Sequence, residues 1–122
     1  MGHSYKDLIV WQKAVAMVTD VYRAALTFPK DETYGLSSQL RRSAVSVASN
    51  IAEGQGRLSK GQFLGQARGS LIEMETQVLI GANLGYVPQD TLARLMTVSG
   101  EVSRLLHGLM QSIQPPGPPT RN

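Results

Sequence analysis

Between Leu36 and Arg57 the chain reads LSSQLRRSAVSVASNIAEGQGR, and its apolar residues Leu40, Ala44, Val47 and Ile51 recur at steps of four, three and four. That spacing repeats one stripe of a helix and does not alternate as a strand would. The opposite side of this predicted second helix carries Arg41, Arg42, Ser46, Ser49, Asn50 and Glu53. Most of these are short polar groups, so Ser46, Ser49, Asn50 and Glu53 are expected at contacts with a neighbouring helix or subunit. Gly54 and Gly56 let the helix stop, leaving Arg57 just past its end. Glu53 falls in the last turn, where the helix dipole disfavours a carboxylate, so a basic partner is expected there, Arg57 or an arginine of another helix.

Three further segments show the same kind of period. Leu8, Trp11, Val15, Val18, Tyr22 and Ala25 alternate steps of three and four, a coiled-coil-like seam for a first helix from about Lys6 or Asp7 to Phe28. At a seam position Trp11, the only tryptophan, reads as core. Pro29 ends that helix, and PKDETYG is a polar connection. The third helix follows a short turn at 56–59 with Ser59 as its N-cap, and Phe63, Ala67, Leu71, Met74, Val78 and Ala82 form its inner stripe. It carries Gly61, Gly65, Gly69 and Gly81 at a cost of up to ~1 kcal/mol for each interior glycine. Gly65 and Gly69 lie four apart on one face and are expected to admit a close neighbouring backbone. LGYVPQD makes a tight corner, with Gly85 as a helix C-cap and Pro88 opening the next helix. The fourth helix runs from about Gln89 to Ile113 with Leu92, Leu95, Met96, Val102, Leu105, Leu106, Leu109 and Ile113 inward and an interruption at Ser99 and Gly100.

Four amphipathic segments joined by short corners predict an all-α fold, an antiparallel up-down-up-down four-helix bundle over residues 1–113. Residues 114–122, QPPGPPTRN, are too rich in proline for helix or sheet and are expected to be disordered or polyproline-like. With 122 residues there is enough chain for one core without disulfides or metal. The absence of cysteine removes disulfides and thiolate metal sites, and with no apolar run of membrane-spanning length the expected location is the cytoplasm.

Charge sharpens this picture once it is divided along the chain. Residues 1–35 sum to zero and residues 71–122 to −1, whereas residues 36–70 hold Arg41, Arg42, Arg57, Lys60 and Arg68 against Glu53 alone, a surplus of +4. Four of those five are arginine, whose planar fork binds phosphate oxygens in pairs. The candidate nucleic-acid-binding residues are therefore Arg41, Arg42, Arg57, Lys60 and Arg68, on the hairpin of helices two and three. Solvation or salt bridging of the same arginines is the plainer alternative.

No catalytic constellation competes. His3 and His107 lack a ligand partner at helical spacing, Glu73 and Glu75 point to different faces, and GQGR follows a helix and lacks the Lys-Ser/Thr ending of a phosphate loop. No catalytic residue, metal or cofactor is expected.

The run LRRSAVSVASNIAEGQGR, with LIVWQKAVAMV before it and GSLIEMETQVLIGANLGYV after it, resembles the bacterial four-helix-bundle family that includes proteins encoded in intervening sequences of large-subunit ribosomal RNA genes. The accessory variability determinants of diversity-generating retroelements are more distantly similar. The resemblance covers roughly residues 5–113 and implies a homopentameric barrel with a nucleic-acid-linked role. Five copies would carry about +15 around one axis, a field to which a phosphate backbone responds. The function so implied is that of a non-enzymatic oligomeric module binding structured RNA or an RNA-protein assembly, with a reverse transcriptase as the partner in the retroelement case. The alternative is a pentameric scaffold for a protein partner, without nucleic acid.

Overall fold

A computed structural model describes residues 4–55 and 60–113. A 3-10 turn at Tyr5–Asp7 leads into α1 (Ile9–Ala25), and a second at Lys30–Glu32 precedes α2 (Leu36–Gln55); α3 (Lys60–Asn83) and α4 (Gln89–Ile113) follow. No strand occurs among the described residues. α1 packs on α2 and α4, and α3 packs on the same two helices, while the diagonal pairs stay apart. This is a four-helix bundle with one helix at each corner. The chain reverses at each step: Ser46 meets Ser70 while Ser43, three residues earlier, meets Gln77, so α2 and α3 run in opposite directions.

The stripe of α2 lies where its period places it, with Leu40, Ala44, Val47 and Ile51 fully buried. Burying side chains such as Leu40 and Ile51 contributes about 1.5–3 kcal/mol each. They meet Met17 and Val21 of α1, Leu64, Ala67, Leu71, Met74 and Val78 of α3, and Leu95, Val102 and Leu106 of α4 in one core.

Several expectations need correction. In α1 the buried stripe is Val10, Ala14, Met17, Val21 and Ala24, continued by Phe28, and not the seam from Leu8 to Ala25. Of that seam only Ala25 is buried; Leu8, Trp11 and Val18 are partly covered, and Val15 and Tyr22 are exposed. α1 carries two apolar stripes side by side, and the core takes the one with small residues, Ala14 and Ala24, that fit between α1 and its two neighbouring helices. The helix proper also starts later and stops earlier than expected, because Leu26, Thr27 and Phe28 donate to carbonyls three residues back, tightening the last turn before Pro29. In α3, Gly65 and Gly69 admit no close neighbour: a Cβ at either would meet nothing within 4 Å. They lie on the outer face, away from Leu71 and Met74. The close approach is at Gly81, where a Cβ would stand 2.9 Å from Phe28 Cζ. Leu64 takes the inner place expected for Phe63. In α4, Ser99 does not interrupt the inner stripe but belongs to it, fully buried and donating to Glu75 Oε2; Leu105 is exposed.

Both described corners are built by identifiable groups. At the α3–α4 corner Gly85 adopts φ +82°, which leaves Gly85 N–H to bond the Ala82 carbonyl and Tyr86 N–H the Gly81 carbonyl. This pair of bonds closes the helix end in the Schellman manner. At the α1–α2 corner Glu32 Oε1 accepts the Leu36 N–H at 3.0 Å, capping α2. The expected turn at 56–59, with Arg57 and the Ser59 cap, lies outside the described residues, as do His3 and the tail from 114.

Candidate nucleic-acid interface

The hairpin of α2 and α3 holds its polar side chains by contacts inside the protomer. Ser43 Oγ donates to Gln77 Oε1 at 2.7 Å, and the Ser46 and Ser70 hydroxyls meet at 2.8 Å. Asn50 Nδ2 reaches back to the carbonyl and hydroxyl of Ser46 at 2.9 and 3.0 Å. Ser49 and Glu53 are exposed on the outer side of α2. Of the four residues singled out as contacts, Ser46 thus touches α3 and Asn50 braces Ser46.

These bonds fix which way the cations turn. With 3.6 residues per turn, Arg41 lies about 100° around α2 from Leu40, on the flank away from Ser43 and Ser46 and therefore toward α1. There its Nη1 donates to Ser37 Oγ at 2.7 Å and its guanidinium sits over the Tyr22 ring, 5.9 Å from the centroid. Arg42 lies about 200° from Leu40, on the outer face, and is exposed. Arg68 lies about 60° around α3 from Leu71, on the same side as Glu75, which bonds Ser99 of α4. Arg41 and Arg68 accordingly occupy opposite flanks of the hairpin. Lys60 begins α3 at the hairpin tip, eight residues or about 12 Å from Arg68. The described cations form a ladder of separate charges along the hairpin, and Arg57 falls outside the described residues.

Among the described residues, carboxylates leave these cations unpaired. The ion pairs among the described residues are Lys13 with Glu101 at 3.0 Å and Arg23 with Asp20 at 3.6 Å, and neither involves Arg41, Arg42, Lys60 or Arg68. The feature that periodicity hid is Tyr22. Assigned inward as part of the α1 seam, it stands instead at the surface beneath Arg41, 45% exposed.

Other chemistry is sparse. A shallow cleft of about 230 Å³ between α1 and α4 is lined by Ile9, Lys13, Glu101, Arg104 and Leu105. Among the described residues no group of three or more His, Cys, Asp or Glu side chains gathers as metal ligands, and His107 is exposed on α4. No helix among them is long and apolar enough to cross a membrane.

With this geometry in place, comparison with known proteins is decisive at the level of family. Residues 6–108 match the model of the 23S rRNA-intervening sequence protein family. The chain belongs to that family. Among solved structures, this 23S rRNA-intervening sequence family member is similar to a protein of the S23 ribosomal protein family from Bacteroides thetaiotaomicron, itself described as of unknown function. The two share 20% identity over 84% of this chain and 99% of the other, with a TM-score of 0.74. At that identity the likeness speaks for the fold. No curated protein matches.

Proposed function

We propose that this family member is a non-enzymatic, cytoplasmic, oligomeric module that holds structured RNA, or an RNA-protein assembly, on the cations of its α2–α3 hairpin. The observation that carries the reading is that, among the described residues, Arg41, Arg42, Lys60 and Arg68 of this basic stretch stand outside the ion pairs, which lie on α1 and α4. Membership of a family linked to 23S rRNA intervening sequences supports the choice of RNA over other polyanions. One protomer offers few, spaced charges and binds weakly. A homo-oligomer, a pentamer in this reading, repeats the ladder around an axis and turns it into a polyvalent surface. A reverse transcriptase is one protein that such an RNA-bound assembly would serve.

Exposed aliphatic side chains favour the second reading, a scaffold whose partner is protein. Ile72, Leu79 and Ile80 lie on the outer half of α3, each about half exposed in the protomer. Self-association also covers them, so the two readings part on nucleic acid alone.

A salt titration separates them. Binding of an RNA stem-loop through several phosphates weakens steeply between low and moderate salt, with a log-log slope of several units. Replacing Arg41, Arg42 and Arg57 together by Ala is expected to abolish retention of that RNA while the oligomer persists. A flat salt response, or no binding at low salt, leaves the scaffold; loss of the oligomer in the triple variant makes these arginines interface residues.

A further inference from the structure

We infer that the α1–α2 end of the bundle takes unpaired nucleotides, stacking bases on Tyr34 and on the Tyr22–Arg41 pair while Arg41 and Arg42 meet the adjoining phosphates. The inference rests on the RNA reading above and specifies which part of an RNA is held.

Tyr34 is the observation that starts it. The ring is 97% exposed in the corner between α1 and α2, so no part of the protomer uses it. An aromatic ring left wholly in water loses the burial that normally accounts for its presence, and both of its π-faces remain free to stack. Two residues later α2 begins, and Arg41 stands five residues into it, about 7.5 Å along the axis from Leu36. The Arg41 guanidinium is not loose: Ser37 holds it at 2.7 Å and the Tyr22 ring lies under it. Tyr22 approaches the guanidinium from one direction, and the half-buried group keeps a solvent-facing side as a cationic surface for a base. Arg42 is the adjacent, outward-facing charge.

The acidic groups at this end leave those arginines unneutralised. Asp20 pairs with Arg23, and Glu32 is occupied by the Leu36 N–H and the Tyr86 hydroxyl. Asp31 is exposed beside Lys30.

Aromatic rings and guanidinium planes beside unpaired cations are how proteins hold single-stranded segments, loops and bulges, whose bases are free to leave their own stack. A paired duplex keeps its bases inside and presents phosphates and 2′-hydroxyls over a long surface. A ring standing out from a corner gains nothing from that. The end of the bundle therefore selects unpaired segments within a structured RNA, and the cations further along the hairpin add charge without sequence preference.

The test uses the full chain and two probes: a fluorescent single-stranded oligoadenylate, and the same strand annealed to its complement. Tyr34→Ala, at a side chain that touches nothing, is expected to weaken single-strand binding roughly tenfold, with the salt slope unchanged because no phosphate contact is lost. Tyr34→Phe keeps the π-face and is expected to bind as the unaltered chain does. The duplex binds more weakly and is indifferent to both variants. If Tyr34→Ala binds the single strand normally, or the duplex binds as tightly, the stacking inference falls while RNA binding stands. If neither probe shows salt-sensitive binding, the RNA reading falls with it.

Discussion

At the scale of single residues, the glycines of α3 show how much depends on what lies opposite a position. Gly65, Gly69 and Gly81 carry the same propensity cost, and nothing in their local sequence separates them. The difference comes from outside the helix: Phe28 and Val87 approach Gly81, to 2.9 and 3.2 Å of a would-be Cβ, whereas Gly65 and Gly69 face open space. Gly81→Ala is therefore expected to destabilise the fold by about 1–3 kcal/mol, since the ring and the valine must both give way. Gly65→Ala and Gly69→Ala are expected to stabilise the protomer by up to about 1 kcal/mol each through helix propensity. Denaturant midpoints of the three variants check this; a Gly81→Ala as stable as the parent would show that Phe28 moves freely. The same limit explains Tyr22. A residue's place in a periodic seam is visible in the chain, but which of two adjacent seams the core selects is decided by the neighbouring helices.

At the scale of elements, the apolar stripe of α2 was legible because Leu40, Ala44, Val47 and Ile51 stand against a mostly polar face, whereas the buried Ser37 and Ser43 beside it were not. α1 was legible as a helix but not in phase, being apolar on two sides. The corners were legible where turn chemistry speaks, at Gly85 and Pro88, and silent where one corner reaches another. That second kind of contact is made by Tyr86. Its hydroxyl donates to Glu32 Oε2 at 3.3 Å, its ring meets Phe28 at 5.3 Å between centroids, and the Thr27 hydroxyl lies 2.6 Å from its carbonyl oxygen. Together these tie the α3–α4 corner to the α1–α2 corner. Desolvation, then the charge and hydrogen bond of Glu32, then Asp31, push the Tyr86 phenol above the ordinary tyrosine value. Because the protonated phenol is the form that the folded state favours, the unfolded chain releases this proton first. The contribution is then complete below the unfolded-state pKa and is lost as pH rises through the raised one. The stability gap between the parent and Tyr86→Phe is expected to be constant near neutrality and to shrink as pH rises past the ordinary tyrosine value, about 10. Urea unfolding of both proteins across that rise measures it, and a gap that does not change with pH would show that the hydroxyl and Glu32 do not interact in solution.

At the scale of the whole molecule, the proposed function asks one protomer to do two things with one hairpin: present cations and meet its copies. The outer half of α3 suits the second task. Ile72, Leu79 and Ile80 are exposed there, and Gly65 and Gly69 leave the same side low enough for a second chain to lie close. The expectation that these glycines mark a close approach fails inside the protomer and returns as a statement about assembly, which no single chain can satisfy. Ile72→Glu places a charge in the middle of that face without touching the core, so it is expected to leave the unfolding midpoint of the protomer unchanged and to reduce the assembly to monomers, read by light scattering during gel filtration. The consequence for RNA follows from counting phosphates. A monomer presents only its own ladder, so its log-log salt slope for RNA is expected to drop severalfold along with its affinity. An Ile72→Glu protein that keeps the parent's mass would remove α3 from the interface. A monomer that keeps the parent's salt slope would show that one hairpin already supplies every phosphate contact, and that repetition of the charge around an axis has no part in binding.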